Sequence, residues 1–370
     1  MASDPAERAG AVLEIDLTGI VANWRMLAAR VEPARCAAVV KADAYGLGAA
    51  QVSAALVAAG CRLFFVATLD EGIALRQALP ASCKIGVFNG PVPGSADEFL
   101  SHRLIPVLNE PGQIAEWTTI TARRGGCPAM LHIDTGMARL GLTLREFEGL
   151  VAERRHPTRW GALISHLGCA DEPANPLNEI QRARFVSARH QLGDPPASLA
   201  ASSGIFLGRL YHFDFVRPGA ALYGVNPQAG TPNPMNQVVR LKGRILQVRE
   251  VDRGDPVGYG AAHLMEQPGR LATVALGYAD GWLRSLSHRG SGRLGGKRVP
   301  LRGRVSMDLV IFEVSGVDPS LARPGGYIEL LDDDYGVDAA AADAGTIGYE
   351  VLTGLGRRCH RIYRGMPDRC

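Results

Sequence analysis

A lysine follows an apolar run near the start of the chain. Residues 36–40 are apolar and predict a buried strand of a parallel sheet, which ends at Lys41. The chain then turns through Asp43 and two glycines into an alanine-rich stretch. Catalytic groups of strand–helix proteins lie at the carboxyl ends of strands, where low-dielectric surroundings lower the pKa of an amine and make it nucleophilic. A lysine at such a point is also an ordinary surface residue, so the rest of the chain has to decide between the two.

Two later loops have the composition of a phosphate site. Residues 202–204, Ser-Ser-Gly, open a helical stretch, and residues 217–220, Arg-Pro-Gly-Ala, follow a short apolar run. Backbone N–H groups at helix starts and glycine turns bind phosphate, and in barrels this site is often built from the loops after strands seven and eight. Each loop alone would be an ordinary cap or turn. Together with Lys41 they indicate a phosphorylated cofactor.

The elements that must position these residues alternate along the first part of the chain. Between about residues 18 and 226, short apolar runs predict strands and amphipathic stretches predict helices. The predicted fold is α/β, an N-terminal (β/α)8 TIM-type barrel, and the same periodicity also suits an open doubly wound sheet. The predicted strands are 37–41, 63–67, 85–88, 105–108, 129–134, 161–165, 198–201 and 215–216. The predicted helices are 50–59, 70–79, 96–101, 112–123, 144–155 and 177–192.

The pattern changes after Gly224. Residues 225–234 are rich in Pro, Gly and Asn and predict a linker, and the runs beyond it are strand-like with turn residues between them. We therefore expect a barrel domain over residues 1–230 and a C-terminal mostly-β domain over 231–370. The early run 12–17 is also strand-like, and we expect it to pair with the second domain.

Composition restricts the class of protein. The chain has 370 residues, 46% hydrophobic and 21% charged, with no apolar leader or membrane-spanning run, which predicts a soluble cytoplasmic protein without a membrane partner. Its seven cysteines are scattered and none forms a C-x-x-C pair, so we expect reduced thiols and no metal site. Residues 289–304 are basic and glycine-rich but lack interleaved aromatics, so we expect no nucleic-acid partner.

Residues 41–48, K-A-D-A-Y-G-L-G, resemble the signature of the alanine racemase family. The resemblance implies the cofactor pyridoxal 5′-phosphate (PLP), carried by Lys41 as an internal aldimine, with Tyr45 hydrogen-bonded to its phosphate. It also implies that Ser203 and the backbone of Gly219 and Ala220 hold this phosphate.

The same resemblance gives the cofactor ring two neighbours. Arg217 would donate a hydrogen bond to the pyridine nitrogen, and His166 would lie against the ring. Because an arginine is always protonated and can only donate, the nitrogen stays unprotonated and the ring is a weaker electron sink. Transamination is then suppressed, which suits racemisation. A lone histidine is otherwise more often structural.

A further motif, residues 134–141 (D-T-G-M-A-R-L-G), matches the family segment whose arginine reaches the cofactor's phenolic oxygen and the substrate carboxylate. That arginine is Arg139, and a guanidinium fork suits both acceptors. The chain departs from the family nearby, because many members have a carbamylated lysine where this one has His132. Either His132 itself or a bound anion such as chloride would orient Arg139.

Racemisation removes a proton from one face of Cα and returns it to the other, so it needs two bases. Lys41 can serve one face. By the resemblance, the second base is Tyr259, supplied by the other subunit of a homodimer, with Met307 near the substrate carboxylate. The segment around Tyr349 would return to the phosphate and narrow the entrance. Spacing alone would make Tyr259 an ordinary tyrosine in a glycine turn.

The resemblance runs through both predicted domains and implies a racemase that interconverts L- and D-alanine. It would serve D-alanine supply for peptidoglycan or L-alanine catabolism, and the sequence does not choose between them. A racemase of serine or a basic amino acid is a close alternative, because one methylene changes binding by only about 1–3 kcal/mol. A non-catalytic PLP-binding protein would lack the second domain, and a decarboxylase would be expected to have a carboxylate in place of Arg217.

Overall fold

A computed structural model describes residues 5–122, 126–153 and 160–365. The chain divides into two compact units. The described residues of the barrel unit lie within 20–44 and 48–236, and those of the second unit are 5–19, 45–47 and 237–365. The short segment 45–47, inside the motif 41–48 that begins at Lys41, thus belongs to the second unit rather than to the barrel.

Parallel strands form the core of the barrel unit. Seven of them pair in chain order, each with the next: Ala38–Val39, Leu63–Val66, Lys84–Val87, Ile105–Leu108, Ala129–His132, Trp160–Ile164 and Ala197–Ser198. Two further short strands, Arg35–Cys36 and Phe215–Val216, pair with each other. The helices of this unit or at its boundary are Leu17–Val31, Ala49–Ala58, Leu69–Ala78, Ala96–Ser101, Pro111–Ala122, Leu144–Glu153 and Leu177–Gln191. Single-turn 3₁₀ helices are Ser203–Leu207, Arg209–Tyr211 and Ala220–Tyr223.

Hydrogen bonds close this sheet on itself. Val216 pairs in parallel with Cys36, and Val39 N donates to Pro218 O at 2.9 Å. On its other side the same segment donates from Val40 N to Phe65 O at 2.8 Å. Arg217 N donates to Ala200 O at 3.0 Å, which joins the last two strands. A sheet without edges is a barrel, so the barrel prediction is confirmed and the open-sheet alternative is wrong.

The barrel interior explains why its strands are apolar throughout. Phe65 is fully buried and its ring stacks on those of Phe88 and Phe215, at centroid distances of 5.0 and 6.1 Å. A Cβ on Gly86 would lie 2.5 Å from the Phe65 ring, so the neighbouring strand needs a glycine there. Strands enclosed on both faces have no solvent side on which to place polar residues, which removes the alternation typical of exposed sheets.

The second unit is built mostly on antiparallel strands, with short helices beside them. Its central strand, Val239–Val251, pairs with Ala11–Asp16, Gly269–Val274 and Tyr327–Leu331. The other strands of this unit are Pro256–Val257, His263–Leu264, Ser291–Leu294, Lys297–Pro300, Val310–Glu313 and His360–Arg364. Its α-helices are Pro5–Arg8, Val337–Ala344 and Gly348–Gly354, and its 3₁₀ turns are Tyr259–Ala261, Tyr278–Asp280 and Arg284–Leu286.

The predicted helices 112–123 and 144–155 correspond to Pro111–Ala122 and Leu144–Glu153, and the remaining ends of both predictions lie outside the described residues. Residues 1–4 of the predicted first domain and 366–370 of the second lie outside them too. Among the helices that the structure describes, none has the length and apolarity needed to cross a bilayer.

Asn23 joins the helix Leu17–Val31 to the end of the barrel unit. Its side chain is fully buried, donates to Leu222 O at 3.1 Å and Asn236 O at 3.0 Å, and accepts from Asn236 N at 2.8 Å. We expect Asn23→Ala to lower the free energy of unfolding by about 2–4 kcal/mol, because it leaves buried polar groups unpaired. Urea unfolding measures the change.

Arg25→Ala is the control for this prediction, because Arg25 lies on the same helix and its side chain is exposed. It should change the free energy of unfolding by no more than about 0.5 kcal/mol. Equal effects of the two substitutions would mean that the Asn23 hydrogen bonds do not stabilise the fold.

Candidate functional site

Lys41 begins an unusual turn at the carboxyl end of its strand. Ala42, Asp43, Ala44 and Tyr45 all have left-handed backbone angles, with φ between 51° and 57°. Each non-glycine residue in this region costs about 1–2 kcal/mol, so surrounding contacts must hold the turn. Gly48 N donates to Asp43 O at 2.8 Å, and Ala49 N donates to the Asp43 carboxylate at 2.7 Å. The motif therefore forms a strained turn that the sequence alone did not reveal.

The environment of Lys41 favours its neutral amine. Burial lowers the pKa of Lys41, and the positive charge of Arg139 lowers it further, while the negative charge of Glu71 opposes both. An amine with a lowered pKa is a better nucleophile and base at neutral pH. The side chain is only partly buried, so it can still be reached by a ligand.

The two candidate phosphate loops meet through Ser202. Its buried hydroxyl oxygen accepts from Gly219 N at 3.0 Å and from Ala221 N at 3.2 Å. The sequence indicated Ser203 as a phosphate ligand but did not reveal that its neighbour Ser202 joins the two loops. Gly219 N–H is thus already paired in this structure. Neither the Ser203 hydroxyl nor the Ala220 N–H bonds to another described residue, so these two donors are available to an anion.

Arg217 lies buried at the end of the last barrel strand, 3% exposed. Its Nη1 donates to the carbonyl and hydroxyl oxygens of Ser198 at 2.8 and 2.5 Å, and its Nη2 donates to Ser165 O at 2.5 Å. Burial lowers the pKa of Arg217 to about 9. Within the described residues no carboxylate pairs with this guanidinium, so its charge lacks a compensating partner. Such a charge favours an electron-rich ligand.

Two histidines beside Arg217 are held neutral. The pKa of His132 and that of His166 are each lowered to about 3, first by burial and then by the charge of Arg217, with Arg139 adding to it. Asn109 Nδ2 donates to Phe88 O and Val107 O, both at 2.9 Å, which turns its Oδ1 toward His132 Nδ1 at 2.8 Å. His132 Nδ1 therefore has the proton, inferred from this network, and Nε2 is an acceptor.

Asp134 shapes the loop that holds Arg139. Its carboxylate accepts from the N–H groups of Gly136, Met137 and Ala138, each at 2.8 Å. Arg139 itself is exposed. A small cavity of about 10 Å³ beside this loop is lined by His132, Asp134, Met137, Arg139, Leu140, Ser165 and His166. The neutral His132 thus shares a cavity with Arg139.

Tyr45 and Tyr349, the other predicted phosphate residues, pack on each other in the second unit. Their ring centroids are 6.0 Å apart at 50°. Burial raises the pKa of Tyr45, so its hydroxyl stays protonated and can donate. Gly46 has a φ of +84°, and a Cβ there would lie 2.7 Å from Leu352 O, so this turn requires glycine.

Tyr259 and Met307 lie on exposed loops of the second unit. Their exposed fractions are 73% and 53%. Tyr259 lies between Gly258 and Gly260, both with φ of +70°, and Gly260 packs near the Arg304 side chain. Met307 O accepts from Ala279 N at 3.0 Å, which joins its loop to the Tyr278 turn. The predicted second base is therefore an exposed phenol on a well-defined turn.

The structure brings together one group of predicted site residues in the barrel unit: Lys41, Arg139, His166, Ser203, Arg217, Gly219 and Ala220. The second unit contains Tyr45, Tyr259, Met307 and Tyr349. No cluster of three or more His, Cys, Asp or Glu side chains suited to a metal ion occurs in the part of the chain that the structure describes. A barrel with a lysine, two arginines and two loops of backbone N–H donors at its strand ends is typical of a protein that binds a phosphorylated small molecule.

Comparison with known proteins identifies the family. The model of the alanine racemase N-terminal domain matches residues 15–227, and that of the C-terminal domain matches residues 238–363. The alanine racemase of Rhodospirillum rubrum is 52% identical over 98% of each chain, and the catabolic alanine racemase of Mesorhizobium japonicum is 47% identical over 96% of this chain and 94% of its own. The chain belongs to the alanine racemase family.

A solved structure agrees with this assignment. The crystal structure of alanine racemase from Bartonella henselae with covalently bound pyridoxal phosphate is 39% identical and has a TM-score of 0.92. The match covers 96% of this chain and 99% of that one. The similarity therefore extends over both units, and the family predicted from the lysine motif is confirmed.

The neutral histidines make stability depend on pH. Because the folded pKa of His132, about 3, lies below its ordinary value of 6.5, the unfolded chain takes up the proton first as the pH falls. This contribution is fully present above pH 6.5 and is lost at about 1.4 kcal/mol per pH unit below it, down to the folded pKa. We expect His132→Gln to have a shallower loss of unfolding free energy between pH 6.5 and 5, measured by urea unfolding.

His190→Gln serves as the control, since His190 is an exposed residue of the barrel unit. Its stability should fall with pH as steeply as that of the wild type. If His132→Gln did the same, a depressed pKa of His132 would be disproved.

Proposed function

We propose that this protein is a PLP-dependent racemase that interconverts L- and D-alanine. The observation that supports it best is the buried Arg217, fixed by Ser198 and Ser165 and without a carboxylate partner among the described residues. Such a group donates to a ring nitrogen without protonating it. The membership of the family and the presence of Lys41 in the same unit support the same conclusion.

The residues at the strand ends fit the cofactor. Lys41 has a partly buried amine of lowered pKa, which suits a covalent link to an aldehyde. The Ser203 hydroxyl and the Ala220 N–H have no hydrogen bond to another described residue and can donate to a phosphate, and Gly219 borders Ala220. We assign the remaining holding contacts to the hydroxyls of Tyr45 and Tyr349 for the phosphate and to His166 for the ring. When bound, PLP supplies the electron sink that makes the Cα proton of an amino acid acidic.

Arg217 keeps this electron sink weak. Its pKa, lowered to about 9, still leaves it protonated at neutral pH, so it remains a donor. Its Nη atoms are occupied by Ser198 and Ser165, and no bond from its Nε to another described residue is present. We assign the ring nitrogen to this Nε–H. By donating to the ring nitrogen without protonating it, Arg217 would favour return of the proton to Cα over its delivery to the cofactor.

Two residues move the proton. The neutral amine of Lys41 accepts it from one face of Cα, and the lowered pKa of Lys41 favours this neutral form. The partner subunit's Tyr259 acts on the other face, and its 73% exposure in the single chain is what such a role requires. Arg139 and Met307 bind the substrate carboxylate, Arg139 with its guanidinium fork and Met307 with its N–H. The reaction is reversible, so the same site can produce or consume D-alanine.

Lys41→Ala tests the proposed function directly. The wild-type protein should be coloured by its coenzyme and should convert L-alanine to the racemic mixture, whereas Lys41→Ala should lose the visible absorbance and at least about 1,000-fold in kcat. The measurements are a visible spectrum and chiral analysis after incubation with alanine, serine, lysine and arginine.

Lys84→Ala is the matched control, because Lys84 is an exposed lysine at the start of another barrel strand, Lys84–Val87. It should keep both colour and activity. A fully active Lys41→Ala, or a wild type that racemises only a larger amino acid, would contradict the proposal.

Subunit mixing tests the origin of Tyr259. Lys41→Ala and Tyr259→Phe should each be inactive alone, but an equal mixture after subunit exchange should regain about a quarter of wild-type activity, because half of the dimers then have one complete site. The control mixture combines Lys41→Ala with the double variant Lys41→Ala/Tyr259→Phe, so that no site contains the lysine. If exchange is demonstrated and no activity returns, Tyr259 does not act across the dimer.

A further inference from the structure

The carboxylate of Glu71 joins the lysine turn to the next strand of the barrel. Its Oε2 accepts from Ala67 N at 2.7 Å and from Thr68 N at 3.2 Å, and its Oε1 accepts from Ala42 N at 2.7 Å. Ala42 is the residue directly after Lys41. One half-buried side chain on the helix Leu69–Ala78 therefore binds the backbone that follows two adjacent barrel strands.

A helix cap accounts for only part of this arrangement. Thr68 and Glu71 form a capping box, in which Glu71 N donates to Thr68 Oγ1 at 3.3 Å and the Glu71 carboxylate returns to Thr68 N. That exchange uses Oε2. The second oxygen, Oε1, is not needed for the cap and binds an N–H group 29 residues away in the chain.

The N–H group that Glu71 holds is the first of the left-handed turn. Ala42 has φ 51° and ψ 49°, a conformation that costs an alanine about 1–2 kcal/mol. A short charge-assisted hydrogen bond of this kind is about twice as strong as a neutral one and can offset that cost. Without it, residues 42–44 could relax toward ordinary backbone angles and move the peptide that carries Lys41.

We propose that Glu71 is the positioning residue for Lys41: by holding Ala42 N–H it fixes where the lysine amine lies, and its charge faces that amine from the neighbouring strand end. This inference rests on the proposed role of Lys41 as the coenzyme-binding lysine and base. Glu71 touches neither reacting atoms nor coenzyme in this assignment, so it acts through the backbone and through its field.

The charges around Lys41 give this role a second signature. Burial and the charge of Arg139 lower the pKa of Lys41, and the charge of Glu71 raises it. His166 also interacts with the amine and is neutral above about pH 3. Removing the Glu71 charge therefore lowers the pKa of Lys41 further. The amine then stays unprotonated to lower pH, and the acidic limb of the kcat–pH profile moves to lower pH.

Glu71→Gln in the holoenzyme is the test. An amide cannot accept on both sides, so either Ala42 or the cap loses its partner. We expect kcat to fall by about 100-fold, as for a misplacement of about 1 Å, with KM changed by less than about threefold. The acidic limb of kcat should move to lower pH, and the visible coenzyme absorbance should be lost about tenfold faster on dialysis.

Asp70→Asn is the matched control, since Asp70 is an exposed carboxylate one residue earlier in the same helical turn. It removes the same charge without the Ala42 contact and should leave kcat, its pH profile and coenzyme retention at wild-type values. Thr68→Ala breaks the cap but leaves the Ala42 bond, and so reports the effect of lost stability alone.

Glu71→Asp separates position from charge and remains available if Glu71→Gln does not fold. Its shorter side chain keeps the charge but cannot reach both loops, so kcat should fall while the acidic limb stays in place. The inference is overturned if Glu71→Gln behaves like Asp70→Asn, or if its loss of kcat only matches that of Thr68→Ala at equal melting temperature. The proposed function is tested separately, by the colour of the wild-type protein and its racemisation of alanine. The role of Glu71 is tested by comparing the kcat of each variant with that of the wild type.

Discussion

The electrostatics at the carboxyl end of the barrel strands depend on one buried positive charge, that of Arg217. Arg217 is held by the carbonyl oxygens of Ser198 and Ser165 rather than by a carboxylate, so its charge extends over its surroundings. Burial, with that charge adding to it, keeps His132 and His166 neutral, while burial and then the exposed Arg139 lower the pKa of Lys41. The resulting site combines an amine of lowered pKa with two guanidinium groups. This combination favours an anionic ligand that reacts with amines.

Precise placement at this end comes from single polar side chains that bind several backbone N–H groups. Glu71 does this for the lysine turn, Asp134 for the Arg139 loop, and Ser202 for the two candidate phosphate loops. Each of them holds loop backbone that no strand or helix ladder satisfies. Buried polar groups must find partners, so a rigid barrel can present irregular loops only when such side chains are available.

The second unit contributes residues of a different character. Tyr45 packs on Tyr349 and is buried, whereas Tyr259 and Met307 are exposed on loops shaped by glycines of positive φ. Large exposed apolar side chains on a defined surface are typical of residues that contact another molecule. A homodimer with shared sites would give these side chains a function, which agrees with the two-base proposal.

The sequence by itself determined the class of fold and the family, because strand–helix alternation and an ungapped motif are local patterns. It also named Lys41, Arg139 and Arg217, whose chemistry is unusual wherever they lie. It could not distinguish a closed barrel from an open sheet, which depends on the pairing of Val216 with Cys36 across the whole domain. It also missed Glu71 and Ser202, because an ordinary capping glutamate and an ordinary serine acquire their roles only when folding brings distant N–H groups within 3.2 Å. Tertiary structure decided those contacts, since hydrogen bonds between distant segments leave no periodic trace in the chain.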